Sequence, residues 1–159
     1  MWFLISVKDY HAGGQEANRK RFLTLLQNDA RPVGLVGYHE GKPVGWCAVG
    51  PRTRYERVIR TPTYKGRDPE EDSHVWLVPC FFIRPEARSL GVEAALLERA
   101  VTLAQEYGAT AIEGFPFSGD QRRSSGDTQV GIESVFIAAG FTPLRRSSGN
   151  RVIMRRELE

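Results

Sequence analysis

The stretch richest in chemistry runs from Cys80 to Leu97, CFFIRPEARSLGVEAALL. An apolar run ends at Ile83, a turn containing Pro85 follows, and Arg88-Ser89-Leu90-Gly91 then opens a long helical pattern. Such a strand–turn–helix gathers the free N–H groups of a helix N-terminus, and with the helix dipole they attract anions, phosphates above all. Gly91, lacking a Cβ, would let the backbone approach such an anion closely. The competing reading is an ordinary connection carrying a surface arginine. Of the remaining reactive types, Cys80 sits in the apolar run, where a small buried hydrophobe is the usual role. His11, His39 and His74 are too far apart in sequence to suggest a metal site, and no metal is expected.

The elements that would position this stretch can be read from periodicity. Residues 15–28 carry Phe22, Leu25 and Leu26 at helical spacing. Residues 32–39 and 43–50 are short apolar runs around Glu40-Gly41-Lys42, which predicts a hairpin with Gly41 at positive φ. A helical turn is expected over 53–59, then a long charged loop over 60–72, a length typical of lids and site walls. Residues 74–83 are the most apolar run and read as a central strand, with Pro79 marking a bulge or the end of pairing. A helix is expected over 90–107, with Val92, Leu96, Ala100, Leu103 and Ala104 on one face and Gly108 as its stop. A strand at 110–116, a polar loop at 117–128, a short helix at 130–139 and a strand pair at 141–146 and 151–157, turned at Ser148-Gly149-Asn150, complete the pattern. Strand-helix-strand units mixed with hairpins define an α/β (α+β) domain, a mixed central sheet with helices on both faces, occupying 1–159 as one unit.

With the elements in place, RPEARSLGVEAALL resembles the acyl-CoA motif of the GNAT N-acetyltransferases, Arg/Gln-x-x-Gly-x-Gly/Ala before a leucine-rich helix. Arg88, Gly91, Leu96 and Leu97 match it, GIESVFIAAGF at 131–141 is similar to the family's closing helix, and the hairpin lies where the family has one. The resemblance covers roughly residues 30 to 157. It implies a GNAT-like fold and acetyl transfer from acetyl-CoA to an amine by direct attack. It implies that the backbone of Phe81, Phe82 and Ile83 pairs with the pantetheine arm, one N–H polarising the thioester carbonyl. It further implies that Arg88, Ser89, Leu90, Gly91, Val92, Glu93 and Ala94 cradle the pyrophosphate.

The chain departs from the family pattern in four places. Phe136 stands where many members carry a tyrosine as acid to the thiolate, leaving Ser134 as the nearest hydroxyl. Val75 to Val78 offers no glutamate base, so Glu113 on the neighbouring strand, or His74, is the candidate. Glu93 replaces a small residue of the motif, and its carboxylate is expected to turn aside and pair with Arg88. Only one clear helix fits before Arg31, so the N-terminal part is abbreviated or Met1–Val7 supplies a strand. The loops at 60–72 and 117–128 are expected to border the acceptor.

Composition narrows the partners. The chain has 159 residues, 41% hydrophobic and 26% charged, ordinary globular proportions. Its net charge is +3, and the 18 arginines are spread out, which argues against nucleic acid. Two separate cysteines make no disulfide framework, no apolar run approaches a membrane span, and the start is too short for a signal peptide, so a soluble cytoplasmic location is expected. The expected acceptor is a small-molecule or peptide amine, with a homodimer left open. The rival reading is a non-catalytic acyl-CoA-binding or sensing module on the same fold.

Overall fold

The computed structural model describes residues 3–118, 127–147 and 150–159. The first helix, α1 (Val7–Asn28), starts at Ser6, whose hydroxyl accepts from the Asp9 N–H, and it is broken at Gly14. Gly14 has φ 61° and ψ −172°, a region open essentially to glycine alone. Two helical arms therefore precede the sheet where the sequence shows one, and the expected helix begins eight residues earlier than its apolar pattern. Residues 3–6 form a turn and a bend rather than a strand.

The hairpin is as expected. Strands β1 (Gly34–His39) and β2 (Lys42–Pro51) pair antiparallel, with Glu40 and Gly41 both at positive φ between them. Three short helical turns follow: Arg52–Arg54, the single α-turn α2 (Glu56–Ile59), and Pro62–Tyr64; a fourth, at Glu70–Ser73, leads into β3 (Val75–Ile83). Helix α3 (Val92–Glu106) connects β3 to the parallel strand β4 (Ala111–Gly114). Helix α4 (Glu133–Ala138) and the antiparallel pair β5 (Thr142–Ser147) and β6 (Arg151–Glu157) close the fold. The sheet is mixed and six-stranded, in the order β1-β2-β3-β4-β6-β5.

Each face of the sheet carries its own core. Leu96, Leu97, Ala100 and Ala104 of α3 and Phe136 of α4 pack on Trp76, Val78, Phe81 and Ile112. The opposite face holds Leu77, Cys80, Phe115 and Ile153 against Phe3, Tyr55 and Tyr64. Side chains of a strand alternate faces, yet Val78 and Phe81 share one face while Leu77 and Cys80 share the other. The phase therefore slips at Pro79, where the β2–β3 register also shifts, opposite the Ala48–Gly50 stretch. Proline has no N–H for the ladder, and β4 pairs only with Val75 to Val78. The strand divides at Pro79 into a fully paired half and a half facing β2 alone.

Candidate active site

The second half of β3 is the place to begin. The Arg84 N–H donates to the Val44 carbonyl at 2.9 Å. Along an antiparallel pair alternate residues turn their backbone groups to the same neighbour, so Phe82 and Cys80 face β2 as Arg84 does. Phe81 and Ile83 then face the other way, into the gap that β4 leaves by ending at Gly114. Past Gly114 the chain bends off: the Phe117 N–H donates to the Gly131 carbonyl at 3.1 Å, and the Glu133 N–H to the Phe117 carbonyl at 3.0 Å. The far wall of the gap is the segment around Gly131 and Ile132.

The gap leads to the N-terminus of α3. Gly91 caps the helix in the left-handed conformation, φ 70°, with no side-chain cap, and the first helical bond is Ala95 N–H to the Gly91 carbonyl. The N–H groups of Val92, Glu93 and Ala94 precede that ladder and point out of the helix end. Among the described residues, no atom beyond Gly91's own chain neighbours lies within 4 Å of the place its Cβ would occupy, so the approach to those N–H groups is open. Arg88, Ser89 and Leu90 are exposed around it.

An acyl-CoA arm fits this geometry in two respects: a strand edge free to pair with its amides, and an open helix N-terminus for its pyrophosphate. Glu93 narrows the groove. Its carboxylate does not turn to Arg88, as the sequence suggests; it reaches across the gap toward the Ile132 N–H, which favours its charged form. Its Oε1 is buried with no hydrogen-bond partner. A helix-to-loop approach to a backbone N–H leaves no trace in sequence, so the arginine nearest in number was the wrong partner. Burial pushes this carboxyl above the ordinary glutamate range, partly offset by the Ile132 N–H.

On the other side of β3, a cavity of about 640 Å³ lies between the two arms of α1 and the sheet. Cys80, Phe81 and Phe82 form its floor, Phe3, Phe22 and Trp46 its apolar walls, and Tyr10, His11, Asn18 and Arg19 of α1 its polar rim. Phe22 and Trp46 meet edge to face at 6.0 Å. The α1 contribution was not anticipated. Gly13-Gly14 in mid-helix was the available signal, since adjacent glycines there mark a break.

Of the two expected loops, the described one lies elsewhere. Residues 119–126 of the 117–128 loop, like Ser148 and Gly149 of the last turn, fall outside the described residues. The 60–72 loop lines a separate cavity of about 270 Å³ with Arg52, Glu113 and Arg145, and it does not border the cavity at Phe81. There Arg52 reaches both Glu113 oxygens at 3.2 Å, Arg155 reaches Glu113 at 3.2 Å and Glu71 at 2.8 Å, and Arg67 reaches Asp72 at 2.8 Å. Arg52 Nε lies 2.9 Å from Asp72 Oδ1 but is too poorly aligned for a hydrogen bond. Three arginines thus meet three carboxylates.

This arrangement corrects the reading of Glu113 as base. Its oxygens are committed to Arg52 and Arg155, and it lines the second cavity, not the one floored by Phe81. His74 ends a helical turn at the start of β3, exposed, at the opposite end of the strand from Phe81. Ser134 is also corrected as acid: it is exposed, and at 100° per residue it faces about 200° away from the inward-turned Phe136. Phe136 is fully buried between Gly114 and Gly131, 6.3 Å from the Phe81 ring.

The comparisons agree with the fold and the motif. The sequence profile of the Acetyltransferase (GNAT) family matches residues 2–122. No curated protein matches in sequence. Among solved structures, the ribosomal-protein-alanine N-acetyltransferase of Brucella melitensis is similar with a TM-score of 0.57 at 19% identity, over 89% of this chain and 77% of that one. The structure of yncA from Salmonella typhimurium with its cofactor acetyl-CoA is similar with a TM-score of 0.57 at 15% identity, over 89% and 73%. A GCN5-related N-acetyltransferase of Kribbella flavida has a TM-score of 0.54 at 18% identity, over 91% and 78%. At such identities these structures speak for the fold alone. The chain belongs to the GNAT acetyltransferase family. Among the described residues no helix is long and apolar enough to cross a membrane.

Proposed function

We propose that the protein transfers an acetyl group from acetyl-CoA to a primary amine seated in the cavity between α1 and β3. The observation that carries this reading is the position of Phe81. Its backbone faces the gap that suits a pantetheine arm, and it also forms part of the floor of the 640 Å³ cavity on the other side. Acyl donor and acceptor would meet there.

Acetyl-CoA supplies an acyl thioester whose carbonyl carbon accepts the amine. The N–H groups of Val92, Glu93 and Ala94, with Arg88, hold the pyrophosphate. The Phe81 or Ile83 N–H donates to the thioester carbonyl oxygen, where charge develops. The aromatic walls exclude water and favour an acceptor with an apolar body. Among the described residues no acidic side chain lines the cavity, which disfavours polycationic acceptors such as polyamines. The His11 imidazole on the rim is the group placed to take a proton from the amine.

The non-catalytic acyl-CoA-binding reading draws on Phe136 in the acid's position and Glu113 in an ion cluster. One experiment tests both. Acetyl-CoA should raise the melting temperature, since a ligand binding only the native state stabilises it by RT ln(1 + [L]/Kd). Free thiol should then be released when neutral aromatic amines are added, and far less with spermidine. A thermal shift without thiol release for any amine would select the binding module.

A further inference from the structure

Phe136 leaves the family's usual proton donor absent, and neither Ser134 nor Glu113 lies where it could replace it. One carboxyl does. Glu93 projects from the first turn of α3 into the gap between β3 and the Gly131–Ile132 segment. A Cβ placed on Gly131 would stand 3.0 Å from Glu93 Oε1, 2.8 Å from the edge of the Phe136 ring and 3.4 Å from the Phe81 ring. The open side of Gly131 is thus bordered by the carboxyl, by the residue in the acid's position and by a ring of β3.

Resting on the acetyltransferase reading above, we propose that Glu93 is the proton donor to the departing thiolate, taking the role that Phe136 cannot fill. The family motif has glycine or alanine at this position, so a side chain here enters the acyl-CoA groove. The carboxyl lies against the Gly131–Ile132 segment, and its Oε1 is left buried without a partner. A carboxylic acid with one free buried oxygen can give a proton to a neighbour that acquires charge. No cation among the described residues pairs with Glu93. Of the titratable groups on the elements packed around it, Glu133 of α4 is held by Arg146 at 3.0 Å, and the Cys47 thiol on β2 is buried and itself pushed up. Burial without a cation keeps a carboxyl protonated to higher pH, which an acid working near neutrality requires.

The step balances. Glu93 gives its proton to the sulfur as the C–S bond breaks and the C–N bond is complete, so the thiol leaves neutral. The amine nitrogen gives up one proton to the His11 imidazole, which passes it to solvent, and the Glu93 carboxylate takes one back from solvent.

The test compares wild type with Glu93→Gln, which keeps the shape and an acceptor oxygen. General acid help is worth about 10²–10⁴-fold, so kcat should fall at least about tenfold while acetyl-CoA affinity by calorimetry changes little. The defect should shrink with an acetyl thioester of a more acidic thiol, which leaves without a proton; a merely structural loss would not. A readout independent of turnover is the infrared band of a protonated carboxyl near neutral pH, present in wild type and absent from the variant. Unchanged turnover in Glu93→Gln, or an equal defect with both thioesters, overturns the proposal while leaving the transferase reading intact. A wild-type chain that neither binds acetyl-CoA nor releases thiol overturns both.

Discussion

Arg52 and Glu113, 61 residues apart in sequence, meet in the interior: one guanidinium nitrogen lies 3.2 Å from both carboxylate oxygens, and the side chains are 2% and 1% exposed. Removing one partner of a buried pair strands the other charge, at about 3–5 kcal/mol. Arg52 also serves Asp72 at 2.9 Å and the Asp68 carbonyl at 2.8 Å, whereas Glu113 keeps Arg155. Arg52→Met should therefore lower the melting temperature by on the order of 10 °C, and Glu113→Gln by less. The Glu113→Gln enzyme should keep the wild-type pH–rate profile once corrected for folded fraction. Thermal unfolding and a pH series on both variants check this; a lost pH limb in Glu113→Gln would return it to the chemistry.

That cluster shows where sequence reading stops. Pro79 announced the end of β3–β4 pairing because its missing N–H is a local property, and Gly41 and Gly108 announced turns for the same kind of reason. The apolar arc of α3 was legible from its period. The role of Glu113 was not: it depends on Arg52 and Arg155, which reach it only through the fold. The 60–72 segment read as a site-lining loop because it is long and polar, whereas Arg67–Asp72 and Arg155–Glu71 pin it over the sheet. The turn at Gly91 and the helix that follows it were legible because a helix start is set by local residues. Tyr10, His11 and Phe22 were not, because their place depends on the break at Gly14.

The break makes a prediction of its own. At φ 61° and ψ −172°, a Cβ at Gly14 is strained by about 1–3 kcal/mol, although nothing lies within 4 Å of it. Gly14→Ala should relieve that strain by changing the angle between the arms of α1 and so the shape of the cavity. The expected result is a several-fold rise in KM for the amine with acetyl-CoA affinity unchanged. Equal KM values would show that the arms do not shape the acceptor site.

Gly114 ends β4 directly under the Phe136 ring, which a Cβ there would overlap. The ring is fully buried and packs on Phe141 at 5.0 Å and Phe81 at 6.3 Å, so it has nowhere to go. Overpacking of this kind costs roughly 1–3 kcal/mol. Gly114→Ala should unfold several degrees below wild type, and Phe136→Leu in the same chain should recover part of the loss. If the double variant is no more stable than the single, the ring is not the obstacle.

Glu93 carries a prediction about stability, separate from catalysis. Burial raises its folded-state pKa above the ordinary glutamate value. A carboxyl raised in this way favours folding while protonated: the benefit is full below its unfolded pKa and is lost as pH rises through the folded one. Wild type should thus lose stability across that window, and Glu93→Gln, with nothing to ionise, should not. An unsatisfied buried charge costs at least as much as a neutral unsatisfied group, about 1–3 kcal/mol, and each kcal/mol is worth roughly 2–4 °C in a chain of this size. The variant should melt several degrees above wild type at pH 8, and the difference should close toward pH 4. Melting curves of both proteins over that range decide it. A constant offset would trace the change to packing, and a variant less stable at pH 8 would mean that the carboxylate is compensated by a partner that the Ile132 N–H alone does not account for.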